Sequence, residues 1–370
     1  MNEQTTVVAV VGAGTMGAGI AQVALEAGDV VRLYDPDAGA RARGRARIAE
    51  GLARRAAKAD LDADSIDEWV AGRLVRLDVL DDLAPTSIGA GIVIEAALED
   101  LDVKRLLFGW LDDLVSPHAI LATNTSALRV ADIAAATKRP GRVLGLHFFN
   151  PAPLLPLVEV VAGPATDEEA IARAVVHVER WDKMPVRCAD TPGFIVNRVN
   201  RPFTIEALRM LEAGEATVEE IDDAVVAAGF PMGPFALMDL VGIDINVAAA
   251  NAVWEGLGRP ERLRPSPIQA WLVEHGRLGR KTGGGFYVEG TRGAKLIAAS
   301  LPEDLTAVRS SPSMPADAIV RRIREAIAAE AVLARDANVA SEADIDLALR
   351  LGAAHPQGPF EWAARATIRP

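Results

Sequence analysis

The chain has 370 residues, of which 50% are hydrophobic and 24% are charged, and its single cysteine is Cys188. This composition predicts a globular protein of two or three domains and excludes an internal disulfide framework or a cysteine-rich metal site. The net charge of −12 argues against nucleic acid as a partner. The sequence lacks an apolar run of the roughly 20 residues that a membrane span needs, and it lacks a signal-peptide pattern. We therefore expect a cytoplasmic protein with no membrane partner and no metal.

The N-terminal segment follows the pattern of a dinucleotide-binding unit. Thr5 to Val11 predicts a buried strand, the letters GAGTMG follow it at once, and a helix is predicted from Ala18 to Ala27. A second predicted strand, Val30 to Tyr34, ends at Asp35. A glycine motif between a strand and a helix, with an acidic residue after the next strand, indicates a Rossmann-type site. The alternative is a glycine-rich turn in another kind of α/β unit.

The residue types of this motif explain how it would hold a dinucleotide. Gly12 permits the tight turn, Gly14 lets the backbone approach the pyrophosphate, and Gly17 lets the helix pack on the strand. The helix N-terminus offers N–H groups and a partial positive charge to phosphates. Asp35 would accept both ribose hydroxyls and repel a 2′-phosphate, which favours NAD over NADP. The expected cofactor contacts in this loop also include Thr15 and Met16.

The first half continues as alternating helices and strands. Helices are predicted over Ala38–Lys58, Ser65–Arg73, Leu101–Leu114 and Asp167–Arg180, and strands over Ile92–Glu95, Ala119–Ala122, Arg142–Phe149, Leu155–Val161 and Pro185–Arg187. The turn at 190–193 marks the predicted domain boundary, so the NAD-binding domain covers 1–189. The helix that ends at Lys58 has seven basic residues and one acidic residue from Arg41 onwards, a balance of +6. It is either a solvated face or a docking surface for a polyanion such as the phosphates of coenzyme A.

Two polar residues interrupt adjacent apolar strands near the middle of the chain. His147 lies in the first strand and Glu159 in the second. Burying either one without a partner costs several kcal/mol, by the usual rough figure. Neighbouring strands can bring them together, so that the carboxylate fixes the imidazole as a general base. The alternative is a core histidine with a satisfied hydrogen bond.

The second half is predicted to be helical and partly duplicated. A domain over 190–290 begins with helices Phe194–Ala213 and Val218–Ala228 and ends in a glycine-rich loop, while 291–315 is predicted to be a linker. The pattern IVNR, EAL, ATVEEIDDAV, PMGPF recurs in 316–370 as IVRR, EAV, ASEADIDLAL, PQGPF. We therefore predict a partial second copy of the helical domain, which must pack on the first copy to bury its apolar face.

Six motifs occur in order and together resemble the L-3-hydroxyacyl-CoA dehydrogenase family. They are GAGTMGAGIA, TNTSAL, GLHFFNPAPLLPLVEV, DTPGFIVNR, PMGPF and GRKTGGGFY. The resemblance covers about Thr5 to Val288. It implies an α/β Rossmann-type NAD-binding domain followed by an all-α domain, an acyl-CoA substrate, and pairing of helical domains as a homodimer. Here the second copy would stand in for the partner subunit and give a pseudo-dimeric monomer.

The resemblance also assigns roles to single residues. His147 and Glu159 match the catalytic pair of the family, and Ser126 and Asn197 match further catalytic residues that also bind the substrate. Further matches give the expected cofactor contacts Glu99, Lys104 and Asn124. Lys58 is carried over as a CoA contact on the basic helix alone. The second copy has Arg321 in place of Asn197, so we expect it to be structural.

The implied reaction is reversible oxidation of an L-3-hydroxyacyl-CoA by NAD. His147 would take the hydroxyl proton while Glu159 stabilises the imidazolium, and Ser126 and Asn197 would hold the substrate oxygens. A serine-hydrolase triad of Ser126, His147 and Glu159 is rejected because the chain has no GxSxG elbow. Two alternatives remain open: a dehydrogenase of free hydroxy acids of the gulonate or carnitine type, and a non-catalytic NAD-binding protein on the same fold.

Overall fold

The computed structural model describes residues 6–58, 70, 72, 74–77, 91–289, 295–297, 301–302, 305–307 and 312–367. At positions 58, 75–77, 289, 295–297, 363 and 365–367 the description is limited to the backbone. The chain forms two compact units, 1–190 and 191–370. The helix predicted over Ser65–Arg73 lies, except for Val70 and Gly72, outside the described residues.

Within the described residues, the first unit is built on one eight-stranded sheet in the order β3-β2-β1-β4-β5-β6-β7-β8. The strands β1 to β6 are parallel, β7 is antiparallel to β6, and β8 is parallel to β7. The strands are β1 Val7–Val11, β2 Val30–Tyr34, β3 Leu74–Leu77, β4 Ile92–Glu95, β5 Ile120–Thr123, β6 Val143–Phe148, β7 Leu157–Ala162 and β8 Met184–Ala189. The order of β1 to β6 is that of a doubly wound dinucleotide-binding fold.

The helices of the first unit connect these strands. They are α1 Thr15–Glu26, α2 Ala38–Lys58, α3 Leu101–Leu114, α4 Val130–Ala134 and α5 Glu168–Arg180, with a 3₁₀ turn over Pro140–Arg142. The core is the apolar residues of the strands and of the helix faces packed on them, such as Val10, Ile20, Ile94 and Leu144. Strands that are buried on both faces read as continuous apolar runs, and for this reason they were recognisable in the sequence.

One local prediction in the first unit was wrong, and one strand was not predicted. The first helix begins at Thr15 and not at Ala18, because the glycine motif itself supplies the first helical turn. Strand β3 was not predicted at all. Its letters, LVRL, are short and interrupted by an arginine, and its place beside β2 at the end of the sheet is a tertiary pairing that local pattern does not reveal.

The second unit is helical among its described residues apart from one small hairpin. Its helices are α6 Val196–Val199, α7 Arg201–Glu212, α8 Val218–Ala227, α9 Pro234–Val241, α10 Ile243–Gly256, α11 Pro267–Glu274, α12 Ala316–Asp336, α13 Glu342–Gly352 and α14 Pro359–Thr367. The hairpin pairs β9 Tyr287–Glu289 with β10 Lys295–Ile297. No one helix in the described ranges has the length and apolar character to cross a membrane, although the bent pair α9 and α10 passes both criteria when joined.

Two predictions in the second unit are corrected by this arrangement. The single helix predicted over Phe194–Ala213 is divided at Asn200 into α6 and α7. Pro202 explains the division, because proline has no N–H to donate and is tolerated in the first turn of a new helix. The predicted linker 291–315 contains strand β10, so it is not irregular throughout its described part.

Candidate active site

The glycine loop lies at the carboxyl end of β1, where an open parallel sheet binds its ligands. Gly12 has φ +106°, and a Cβ added there would overlap the carbonyl of Ala96. A Cβ added at Gly17 would overlap the carbonyl of Gly12, so this glycine lets the helix approach the loop. At Gly14 a Cβ would meet nothing within 4 Å. The exposed residues Gly14 and Thr15 thus leave the N-terminus of α1 open to a phosphate, which fits the pyrophosphate of a dinucleotide.

Asp35 directly follows β2, and its carboxylate contacts this loop. Its Oδ2 accepts a hydrogen bond from the Ala13 N–H at 2.8 Å, and its Oδ1 accepts from the Asp37 N–H at 2.9 Å. The carboxylate therefore fixes the shape of the glycine loop. An ionised carboxylate has about four acceptor positions, so capacity remains for ribose hydroxyls.

His147 and Glu159 face each other across the antiparallel pair β6 and β7. Nδ1 of His147 lies 2.6 Å from Oε2 of Glu159, and the residues are 6% and 0% exposed. The contact expected from the sequence is confirmed. Because a carboxylate only accepts, Nδ1–H is the donor and the proton-accepting nitrogen is Nε2. The ring of Phe149 packs against the imidazole at a centroid distance of 4.5 Å.

Asn124 connects three strand ends near the histidine. Its side-chain oxygen accepts a hydrogen bond from the Phe148 N–H at 2.9 Å. Its own N–H donates to the carbonyl of Glu95 at 2.8 Å. Asn124 therefore fixes the backbone next to His147.

Glu99 organises the turn that carries Ser126. Its Oε1 accepts from the Thr125 hydroxyl at 2.6 Å, the Ser126 N–H at 2.9 Å and the Ala127 N–H at 3.3 Å. Burial opposes ionisation of this carboxyl, but the Lys104 cation and these hydrogen bonds together hold its pKa below the usual range. The turn at Ser126 is thus held by a charged acceptor.

Lys104 was predicted as a cofactor contact, and the structure gives its ammonium two carboxylate partners. It lies 2.6 Å from Glu95 and 3.3 Å from Glu99, and the lysine side chain is 1% exposed. Glu95 is fully buried and also accepts from the Thr123 hydroxyl at 2.7 Å and the Ala97 N–H at 2.6 Å. Sequence reasoning missed Glu95. The signal for it was a carboxylate that closes an otherwise apolar strand at the binding edge of the sheet.

Asn197 and Lys58 are the remaining predicted residues. Asn197 belongs to the second unit, on the short helix α6, where it is half-buried between buried neighbours. Lys58 is the last residue of α2, and its side chain lies outside the described part. On α2, Arg41 donates to the Asp35 carbonyl, and Arg43 pairs with Asp37 at 3.1 Å.

Comparison with known proteins gives matches over both units. The model of the 3-hydroxyacyl-CoA dehydrogenase NAD-binding domain matches residues 7–191. The model of the C-terminal domain of the same family matches 193–289 and also 319–369. The 3-hydroxybutyryl-CoA dehydrogenase of Mycobacterium tuberculosis is 44% identical over 290 residues, which is 78% of this chain and 99% of that protein.

Two Escherichia coli proteins extend the comparison. The 3-hydroxyadipyl-CoA dehydrogenase is 46% identical over 288 residues, and the match spans 78% of this chain but 59% of that longer protein. The crystal structure of a 3-hydroxybutyryl-CoA dehydrogenase superposes with a TM-score of 0.86 at 37% identity. It covers 98% of this chain and 92% of its own.

Proposed function

Because this chain belongs to the 3-hydroxyacyl-CoA dehydrogenase family, we propose that it oxidises an L-3-hydroxyacyl-CoA to the 3-ketoacyl-CoA, reversibly and with NAD. The protein is an NAD-dependent oxidoreductase. The observation that carries the proposal is the buried pair of His147 and Glu159, with Nδ1 and Oε2 at 2.6 Å. A histidine whose Nδ1–H is fixed by a carboxylate is a general base that accepts a proton at Nε2, with its ring held in one orientation.

His147 is the acid–base residue of the proposed mechanism. Its Nε2 takes the proton of the C3 hydroxyl as the C3 hydride departs, and in the reverse direction it returns that proton to the ketone oxygen. Glu159 stabilises the imidazolium that forms and keeps the ring from rotating. Proton transfer by a positioned side chain contributes a factor of roughly 100 to 10,000 to the rate.

Ser126 and Asn197 bind the substrate in this mechanism. Each has a side chain that can donate a hydrogen bond to the thioester carbonyl or to the reacting oxygen. Negative charge develops on the reacting oxygen. Glu99 supports Ser126 by holding its backbone N–H at 2.9 Å. The serine is therefore in a defined position before substrate arrives.

The residues around the glycine loop fit NAD. Gly12, Gly14, Thr15, Met16 and Gly17 form the pyrophosphate cradle, and Asp35 selects the unphosphorylated ribose. Bound NAD supplies the hydride acceptor. Further contacts come from Glu99 and Asn124, while Lys104 acts through Glu99, since its ammonium pairs with that carboxylate at 3.3 Å. The positive charge of α2 is the basis for a contact with the phosphates of coenzyme A, and Lys58 stays a prediction from that charge.

The helical domain consists of one full copy over 190–290 and a partial copy over 316–370. Supporting this, Asp222 accepts hydrogen bonds from the N–H groups of Phe235 and Ala236, and Asp346 accepts from those of Phe360 and Glu361. In each case an aspartate on one helix caps the next helix, just after a Gly-Pro pair. The second match to the C-terminal family model supports the same interpretation.

The two copies pair within the chain as two subunits would pair in a homodimer, which gives a pseudo-dimeric monomer. Arg198 pairs with Glu330 and Arg322 with Glu206, each at 2.8 Å, so each copy gives one arginine and one glutamate. Such reciprocity is characteristic of a two-fold interface. Sedimentation of the purified chain at monomer mass supports this organisation, while a stable dimer contradicts the monomeric state and indicates association through another surface. Location in the cytoplasm remains our expectation.

The test of the proposed function is NADH oxidation with acetoacetyl-CoA, run beside the variant H147Q. We expect turnover in the wild type and a loss of roughly 100- to 10,000-fold in the variant, with NADH binding retained. Turnover with free hydroxy acids in place of acyl-CoA would favour a dehydrogenase of the gulonate or carnitine type. Failure with both substrate classes, with NADH still bound, would favour a non-catalytic protein.

A further inference from the structure

Asn197 lies on a helix too short to fix its own direction. Helix α6 has four residues, Val196–Val199, and isolated turns of this length are not stable in water. Two left-handed residues precede it, Gly193 at φ 78° and Phe194 at φ 48°. A non-glycine residue in that region persists only where surrounding contacts enforce it. The direction of the Asn197 side chain therefore depends on what holds α6.

The residue after Asn197 is held by the second copy. Nε of Arg198 lies 2.8 Å from Oε1 of Glu330 on α12, and the side chains are 6% and 1% exposed. Oε2 of Glu330 accepts from Arg262 at 2.7 Å. One buried carboxylate thus gathers two arginines of the first copy. Losing that charge would leave Arg198 buried without its anionic partner, which is strongly destabilising, so the pair holds Arg198 firmly in place.

A second contact holds the residue that ends α6. The side-chain oxygen of Asn200 lies 2.8 Å from Nε2 of His355, which follows α13. His355 is 5% exposed, and its ring packs against Phe230 and Trp362. Burial, with a smaller effect of the Arg324 cation, lowers the pKa of His355 to about 3. The neutral imidazole therefore donates from Nε2 to Asn200.

We propose that Glu330 and His355 are positioning residues for Asn197, so that the second copy, which lacks its own asparagine, completes the substrate site of the first. This rests on the proposed function, in which Asn197 binds the acyl-CoA. The second copy then contributes to binding of the substrate and not only to burial of an apolar face. Glu330 contacts Arg198 on the same short helix as Asn197, and His355 contacts Asn200 in the turn that ends this helix.

The chain offers a matched control in the reciprocal pair. Arg322 donates from Nε to Glu206 at 2.8 Å, which is the corresponding contact with the copies exchanged, although these side chains are more exposed, at 34% and 10%. The residue before Arg322 is Arg321, which occupies the position of Asn197 in the second copy. The variant E206Q therefore removes the same charge from the same kind of pair, but not from the pair beside Asn197.

The experiment compares E330Q and E206Q in the full-length protein, with N197A as reference. Urea unfolding curves identify the buffer and temperature at which every variant is fully folded. There we measure kcat and KM for acetoacetyl-CoA, and the Kd of NADH by fluorescence. We expect E330Q to lower kcat/KM for acetoacetyl-CoA by about 10-fold or more, as one charge-assisted contact implies, with the Kd of NADH unchanged. E206Q should stay within about 3-fold of wild type.

The double variant N197A/E330Q separates this inference from the proposed function. If Glu330 acts through Asn197, E330Q has no further effect in the N197A background. If N197A itself leaves acetoacetyl-CoA kinetics unchanged, the proposed role of Asn197 fails. If N197A is impaired but E330Q and E206Q behave alike, or if the single effects multiply in the double variant, the positioning role fails.

A second set of variants covers the case in which E330Q does not fold. H355Q keeps a donor for Asn200, whereas H355A removes it. We expect H355A to raise the KM for acetoacetyl-CoA and H355Q to restore it toward the wild-type value. If H355A and H355Q have the same KM for acetoacetyl-CoA, whether at the wild-type value or equally raised, the proposed role of His355 fails.

Discussion

The ammonium of Lys104 lies 2.6 Å from Oε1 of Glu95, and the two side chains are 1% and 0% exposed. This pair connects α3 to the carboxyl end of β4, and Oε2 of Glu99 lies 3.3 Å from the same ammonium. In this position Lys104 supports Glu95 and Glu99, and its contact with the cofactor stays a prediction.

The pair gives a prediction for stability. K104M leaves Glu95 buried without its cation, so we expect the free energy of unfolding to fall by about 3–5 kcal/mol. The double variant E95Q/K104M removes both charges and should lose distinctly less. Urea unfolding followed by far-UV circular dichroism measures both. A double variant as unstable as the sum of its single variants would contradict the coupling.

Glu159 gives a prediction for catalysis. E159Q keeps the side-chain shape but removes the negative charge that stabilises the imidazolium, so kcat should fall by a part of the roughly 100- to 10,000-fold factor of acid–base catalysis. Steady-state kinetics with acetoacetyl-CoA measure this effect. H147Q/E159Q should be no worse than H147Q alone, because the glutamate acts through the histidine. Full additivity would show that Glu159 has a separate role.

Asp35 gives a prediction for cofactor choice. D35N removes the charge that accepts from the Ala13 N–H and that we propose to bind the ribose. Hydrogen bonds to charged groups contribute about 1.5–3 kcal/mol each. We expect the KM for NAD to rise by about 10-fold or more and the preference over NADP to narrow. The nearby exposed carboxylate of Asp37 provides the control, because it binds Gly39, Ala40 and Arg43 on the surface. An equal effect in D37N would contradict the assignment.

His355 gives a prediction for the pH dependence of stability. Its pKa is about 3 in the folded protein, chiefly because of burial, and about 6.5 in an unfolded chain. The folded state therefore binds fewer protons between these values. The contribution is fully present above pH 6.5 and is lost as pH falls toward 3, by about 1.4 kcal/mol per pH unit.

The variant H355Q isolates this contribution, since glutamine does not titrate. Unfolding in urea at a series of pH values gives the two curves, and their difference should slope downward below pH 6.5. Parallel curves would mean that His355 binds protons equally in both states.

Local sequence determined much of the first unit. The glycine motif, Asp35 and the continuous apolar runs specify strands and a binding edge, because short-range periodicity and backbone freedom are properties of a few adjacent residues. The pairing of His147 with Glu159 was predictable for a related reason. The two strands are separated by a short connection, so they were expected to be neighbours, and register then decided the contact.

Other features were decided by tertiary structure. The partners of Lys104, the place of β3 and the division of the helix at Asn200 depend on residues far apart in the chain. The clearest case is the ion pair of Arg198 with Glu330, which are 132 positions apart in the chain. Sequence revealed that the helical pattern recurs, since repetition is a property of letters. Packing alone paired Arg198 with Glu330 and Arg322 with Glu206, because buried charges need partners wherever the fold brings them.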